Sequence, residues 1–242
     1  MSFGKRRSGQ RVRPASALPT SAGNGPGAGP PLDYTAQMHR LCCDIVARLP
    51  ELAHIDMQRV LVCCCRARKP GTLGVYATLT PLRFAGGRTV ERRRGRLWTI
   101  QKVVDESGRE MLYLLSFYLP RFQDLPLGEK LTTILHELWH IGPRCDGDIR
   151  RHPGRCHAHS RSMAAFDEWA RLLGQRWLAQ QPPQSLFDFL RYSFQELGMR
   201  HRAILARVVR RPRYVPLPNA SGATWDHLAT SGRPGGAESI GR

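Results

Sequence analysis

Apolar and polar positions recur with two different periods along the chain. Over residues 33–49, apolar side chains return every three or four positions until Pro50, as they do on one face of an amphipathic helix. The chain that follows instead carries β-branched runs and alternating apolar positions, which are typical of strands. The predicted strands are residues 60–66, 74–84, 96–104 and 111–119. The sequence Asp-Glu-Ser-Gly at 105–108 predicts a hairpin turn between the last two of these strands.

The helical period returns in the second half of the chain. Between residues 131 and 141 apolar positions recur at helical spacing with no Gly or Pro among them, and Gly142-Pro143 ends the pattern. Residues 163–178 predict a second helix, and residues 186–209 predict one or two more. Strands followed by helices predict an α+β domain, in which a small antiparallel or mixed sheet precedes the helix at 131–141.

Both ends of the chain lack the apolar positions that a core needs. Residues 1–32 carry five basic residues and no acidic one, followed by a stretch rich in Pro, Gly, Ala and Ser. Residues 212–242 are similarly rich in Pro, Gly and Ser. We therefore predict a disordered basic tail at 1–32, a single domain at 33–211 and a disordered tail at 212–242.

No secretory or membrane-spanning segment is predicted. The basic residues near the start are not followed by an apolar block, as they would be in a signal peptide. The longest apolar run, residues 111–119, is too short to cross a bilayer as a helix. The sequence thus predicts no membrane partner.

The helix at 131–141 contains a motif for zinc chemistry, His136-Glu137-Leu138-Trp139-His140. Histidines four positions apart project from the same face of a helix, about one turn from each other, and can bind one zinc ion. In zinc peptidases with this spacing the intervening Glu is the general base toward water. The alternative is a core helix whose histidines are satisfied by ordinary hydrogen bonds.

A catalytic zinc ion needs a third protein ligand and leaves its fourth position to water. Four residues after the helix are candidates: Asp146, His152, His157 and His159. Asp146 lies six positions after His140, the offset of the third ligand in metzincins, but Pro143 replaces the glycine of that pattern. His152 lies in a loop with Pro and Gly that would let it fold back over the site, and we favour it.

The segment around the motif resembles a family of phage-associated metallopeptidases, found in prophages and in bacterial or archaeal genomes. The similarity extends over residues 112–173 and is densest over 135–157. More distantly, the segment is similar to SprT-like, Spartan-type zinc peptidases. The residues that carry the resemblance are Phe117-Tyr118-Leu119-Pro120-Arg121-Phe122, Leu131 to His140, Ile141, Pro143, Asp146-Gly147, Arg150-Arg151-His152, Gly154-Arg155 and His157.

This resemblance implies a zincin-like fold with a zinc cofactor. Carried over residue by residue, it implies His136 and His140 as ligands, Glu137 as the base and His152 as the third ligand. In SprT-like peptidases, too, a later His before a second helix completes the site. The gap before this later His is shorter in the present chain.

The chain is strongly basic, with 37 Lys and Arg against 19 Asp and Glu and a net charge of +18. Such an excess favours anionic partners such as DNA or RNA. Arginines are dense over residues 88–96 and 202–213, where they either contact phosphate or form a solvated surface. A general bias toward Arg in the composition is the alternative explanation.

Seven cysteines occur, and five of them stand in the clusters 42–43 and 63–65. Adjacent cysteines rarely form disulfides, and a strand alternates their faces, so the pattern predicts a reducing, cytoplasmic location. No Cys-x-x-Cys spacing predicts a separate structural zinc site. Cys145 and Cys156 flank the predicted metal loop, where a thiolate ligand is an alternative to an ordinary loop cysteine.

Two hypotheses of function follow. The first is a zinc-dependent metallopeptidase that hydrolyses a protein or peptide substrate, which would pair as an extended chain with the exposed edge of the 111–119 strand or a neighbour. The second is a nucleic-acid-binding or regulatory protein in which zinc is purely structural. A structural site is closed by four protein ligands, whereas a catalytic site stays open at one position.

Overall fold

The computed structural model describes residues 9–19, 27–67, 74–151 and 163–218. Within these ranges the chain forms five α-helices and four short 3-10 helices. Their bounds are α1 Tyr34–Arg48, α2 Leu127–Trp139, α3 Met163–Ala179, α4 Gln184–Phe187 and α5 Phe194–Arg200. The predicted helices at 33–49, 131–141 and 163–178 correspond to α1, α2 and α3.

The strands of the described residues form four small sheets. The strand bounds are β1 Gly9–Arg11, β2 Ser16–Ala17, β3 Leu32–Asp33, β4 Val60–Arg66, β5 Ala77–Pro81, β6 Val90–Arg93, β7 Arg96–Ile100, β8 Lys102–Val104, β9 Tyr113–Leu119, β10 Ile204–Ala206 and β11 Tyr214–Pro216. The strand orders of the four sheets are β4–β9–β5, β1–β8, β2–β10–β3 and β11–β7–β6. Helices and small sheets together confirm the predicted mixture of α and β structure.

The central sheet is mixed, and β9 is its middle strand. β9 runs parallel to β4, with Val60 opposite Tyr113, and antiparallel to β5, with Ala77 opposite Phe117. The prediction that the 111–119 strand has an exposed edge is therefore wrong. Its apolar run, interrupted only by Ser116, is typical of a strand buried on both faces, which favours the middle of a sheet.

The turn at 105–108 forms, but the hairpin around it is short. Val104 and Glu110 make a single antiparallel bridge, and the Met111 amide donates to the Val103 carbonyl at 2.8 Å. Beyond that point the predicted strand 96–104 divides into β7 and β8, which join other sheets. From Tyr113 onward, β9 pairs with β4 and β5 instead.

The central sheet separates two apolar cores. The larger core lies under α1, α2 and α3 and receives Val60, Val62 and Cys64 from β4. The smaller core, on the opposite face, receives Leu61 and Cys63. This alternation follows from the period of two along a strand. The six described cysteines are free thiols.

For residues 9–19, 27–32 and 214–216, the structure differs from the predicted disordered tails. β1 pairs with β8, β2 and β3 flank β10, and β11 pairs with β7. These segments are stabilised by backbone hydrogen bonds at sheet edges and by the burial of Val12. Their polar composition alone does not indicate this stabilisation. Residues 1–8, 20–26 and 219–242 of the predicted tails lie outside the described residues.

The region predicted as helical over 186–209 is helical only in its first part. A capping box at Ser193 and Glu196 starts α5, which ends at Arg200. The chain then becomes extended and forms β10 between β2 and β3. Apolar residues at 204 and 206 alternate into the core, which is the period of a strand and not of a helix. In the part of the chain that the structure describes, no helix is both long and apolar enough for a membrane span.

Candidate metal centre

Helix α2 carries the predicted motif and is anchored by its apolar face. Leu131, Ile134, Leu135 and Leu138 are buried in the larger core, which points the opposite face of the helix outward. At the start of the helix, the buried Lys130 ammonium donates to the carbonyls of Leu190 and Tyr192 at 2.7 and 3.1 Å. The position of α2 is thus fixed by its buried apolar face and by the hydrogen bonds of Lys130 in its first turn.

His136 and His140 lie beside each other at the end of this helix. Their ring centroids are 4.9 Å apart and the ring planes make an angle of 72°. His140 is the residue that caps α2, since Trp139 is the last helical residue. The Phe166 ring of α3 packs on both imidazoles, with centroid distances of 4.6 Å to His136 and 6.0 Å to His140. The two predicted ligands are therefore brought together, with an aromatic ring at their side.

An acidic residue of α3 orients the first of these rings. Nδ1 of His136 donates to Oδ1 of Asp167 at 3.1 Å. Metal-binding histidines usually donate one ring N–H to a carboxylate or carbonyl, and the other nitrogen then faces the metal. Sequence reasoning missed Asp167. The only available signal was an acidic residue near the start of the helix that follows the motif.

Glu137 is held by the neighbouring sheet. Its Oε2 accepts a hydrogen bond from the Leu79 amide of β5 at 2.7 Å. Burial raises the pKa of Glu137 to about 7, while the Leu79 hydrogen bond works in the opposite direction. The predicted base thus has a fixed carboxylate with one oxygen on a backbone amide.

The chain after α2 forms a closed loop built around Tyr113. Ile141 and Ile149 form an antiparallel bridge, and the Gly142 amide donates to the Asp148 carbonyl at 3.1 Å. The Tyr113 hydroxyl donates to the same carbonyl and accepts from the Gly147 amide, both at 2.9 Å. Gly147 has a φ of +92°, which favours glycine there.

The buried Asp148 carboxylate ties this loop to the rest of the domain. It accepts from the Gly86 amide at 2.7 Å, from the Ile149 amide at 2.8 Å and from the Arg151 guanidinium at 2.8 Å. Although burial alone would raise the pKa of Asp148, the Arg151 charge and these amides bring it below its usual value. Asp148 is therefore a structural residue of the loop.

The loop brings the chain back to the end of α2. The Arg150 amide donates to the His140 carbonyl at 2.7 Å, and its guanidinium lies over the Trp139 ring at 3.6 Å from the centroid. On the other side of the histidines, α3 contributes Phe166 and Asp167. The chain on either side of residues 152–162 therefore contacts the two imidazoles or their backbone.

The candidates for a third ligand divide into two groups. His152, His157 and His159 lie outside the described residues, as does Cys156. Asp146 is described, and its carboxylate accepts from the Arg144 guanidinium at 2.8 Å and from the Asp148 amide at 3.1 Å. The Cys145 thiol accepts from the Asp56 amide at 3.3 Å.

Over residues 9–19, 27–67, 74–151 and 163–218, no three His, Cys, Asp or Glu side chains form a group that could hold a metal ion. Asp146 and Cys145 therefore do not complete such a group with the two histidines.

Comparison with known protein families, with curated proteins and with solved structures finds no match to this chain. The geometry of its own residues therefore carries the functional interpretation.

Proposed function

We propose that this protein is a zinc-dependent metallopeptidase with a zincin-like domain, which hydrolyses peptide bonds. One observation carries the proposal: α2 presents two adjacent imidazoles, and the Glu between them is held by a strand of the neighbouring sheet. Asp167 on His136 provides the outer contact that zinc-binding histidines commonly have. The Asp167 hydrogen bond would also satisfy a histidine of an ordinary core helix, so the adjacent imidazoles and the fixed Glu137 carboxylate carry the proposal.

His136 and His140 would hold the zinc ion, with His152 as the predicted third ligand. Zinc bound there would polarise the scissile carbonyl and acidify a water molecule. Glu137 accepts the proton of the attacking water and passes it to the leaving amine. The Leu79 amide keeps the Glu137 carboxylate in one orientation during both transfers, because it occupies one of the two oxygens.

An extended peptide would bind along the edge of β5. Among the strands of the central sheet, β5 is an outer strand; its Leu79 amide is held by Glu137, so the peptide would pair with the other outward-facing backbone groups of this strand. Backbone pairing with this edge would recognise peptides with little regard to their sequence. It would also bring the scissile bond close to α2. The peptide is therefore expected to pair with β5, the neighbour of β9, and not with β9 itself.

The proposal is tested by Glu137→Gln in the zinc-loaded protein. The Gln side chain can still accept from Leu79 but cannot take a proton, so hydrolysis of an unstructured protein such as casein should fall about 10²- to 10⁴-fold. Zinc content, measured by atomic absorption, should not change. Glu129→Gln, on an exposed position of the same helix, is the matched control and should retain full activity. Wild-type hydrolysis by Glu137→Gln would remove Glu137 from the mechanism and contradict the proposal.

A further inference from the structure

A basic groove lies where the two ends of the described chain meet. Its volume is about 900 Å³, and arginines dominate its lining. One wall comes from β1 and the residues after it, and the other from the extended chain between β10 and β11. The lining residues are Gln10, Arg11, Arg13, Pro14, Ser16, Gln101, Val208, Arg210, Arg211 and Arg213.

Among the described residues, no acidic side chain lines this groove or pairs with its arginines. All five of its arginines are exposed, and no acidic residue is part of the lining. Among the ion pairs that the described residues form, none involves any of these five. In contrast, Arg88 and Arg93 of the β6–β7 hairpin pair with Glu91. The groove is therefore a concave concentration of unpaired cations, which attracts anions.

The backbone that carries these arginines is held by hydrogen bonds. β1 pairs with β8, and the Val12 amide donates to the Val104 carbonyl at 2.9 Å. On the opposite wall, the Gln101 amide donates to the Arg213 carbonyl at 2.9 Å. The side-chain amide of Gln10 reaches the backbone of Arg210 across the groove, within 3.3 Å. The walls are thus linked to the same part of the domain, so the spacing of the cations is set by the fold.

We propose that this groove binds the phosphate backbone of a single-stranded nucleic acid. Guanidinium groups recognise phosphate through paired N–H donors, and a line of them on both walls of a groove can follow successive phosphates. A concave groove of this size suits a single strand better than a duplex.

The test measures the binding of a fluorescein-labelled oligothymidylate by anisotropy at several salt concentrations. The groove variant is Arg11→Gln, Arg210→Gln and Arg213→Gln combined. Loss of three phosphate contacts should weaken binding on the order of 100-fold at about 0.1 M salt, and should flatten the slope of log K against log salt by about 2.

A control variant removes the same charge elsewhere. It combines Arg92→Gln, Arg94→Gln and Arg202→Gln, which are exposed, do not line the groove and have no ion pair among the described residues. This variant should keep most of the affinity and the wild-type slope. Equal losses in the two triple variants would mean that net charge, and not the groove, accounts for binding, and would overturn the proposal.

Two further results would also overturn it. One is that the wild-type protein does not bind the oligonucleotide at low salt. The other is that it binds phosphatidylserine vesicles instead of the oligonucleotide.

The groove does not depend on the proposed peptidase activity. Glu137→Gln should bind the oligonucleotide like the wild type, and the groove variant should still hydrolyse casein, so that either proposal can fail alone.

Discussion

The contact between Asp167 and His136 makes a quantitative prediction about zinc affinity. Asp167→Ala removes the carboxylate that accepts from Nδ1 of His136 at 3.1 Å. Loss of such outer contacts usually weakens metal binding about 10- to 100-fold, or roughly 1.4 to 2.8 kcal/mol. The Asp167 side chain is 51% exposed, so water partly replaces the lost interaction. We therefore expect a change near the lower limit, about tenfold.

Zinc affinity would be measured by competition with a chromophoric chelator at constant pH. Glu168→Ala is the matched control, since Glu168 is the next residue of α3, is similarly exposed and pairs with Arg171 instead. Its zinc affinity should equal that of the wild type. Asp167→Asn keeps an oxygen acceptor without the charge and should give an intermediate value.

Two outcomes would contradict this role of Asp167. If Asp167→Ala binds zinc as tightly as Glu168→Ala, the carboxylate does not orient the ligand. If both variants lose affinity equally, the effect arises from the stability of α3 and not from the contact with His136. Thermal unfolding of the metal-free variants separates these cases, because a loss confined to the contact leaves the metal-free protein almost unchanged.

Two other predictions concern residues around α2. Of His152→Ala, His157→Ala and His159→Ala, we expect His152→Ala to cause the largest loss of zinc in the same chelator assay; equal retention by all three would remove this segment as the source of the third ligand. Burial lowers the pKa of Lys130 from its usual 10.5 to about 8, so between these values the unfolded chain holds a proton that the folded chain does not. Urea unfolding should therefore show the wild type gaining stability relative to Lys130→Met as pH rises from about 8 to 10.5, by up to about 3 kcal/mol, and a constant difference would contradict this assignment.

The helices and the longest strands could be predicted because their patterns are local. α1 begins after Asp33, whose side chain caps the helix, and it ends before the proline that breaks the pattern. β4 is bounded as predicted, since its β-branched and cysteine residues are buried on both faces. In each case side chains within one segment determine both the period and the ends.

The pairing of strands could not be predicted in this way. β4 and β9 are parallel neighbours although about fifty residues separate them, and residues 9–11 pair with β8 although their own composition resembles a flexible tail. Such pairing depends on which strand edges still lack a partner in the folded domain. The periodicity of apolar side chains within one segment does not indicate this. Within the predicted tails, residues 9–11, 16–17, 32 and 214–216 form backbone hydrogen bonds with such edges, which their own composition does not predict.

The candidate site, too, could be predicted only in its local part. The pair His136 and His140 follows from helical spacing, whereas the partners of the site residues lie far away in sequence, with Asp167 on α3 and Leu79 on β5. Both partners depend on how closely α3 and β5 pack on α2. Gly174 lies where α3 faces α2, and a Cβ built there would make ordinary van der Waals contact with a methyl group of Leu135 at 3.4 Å. The chemistry of the motif is thus encoded locally, but its orientation is a property of the packed core. A change that only separates α2 from α3 should therefore weaken the contact on His136 before the domain unfolds.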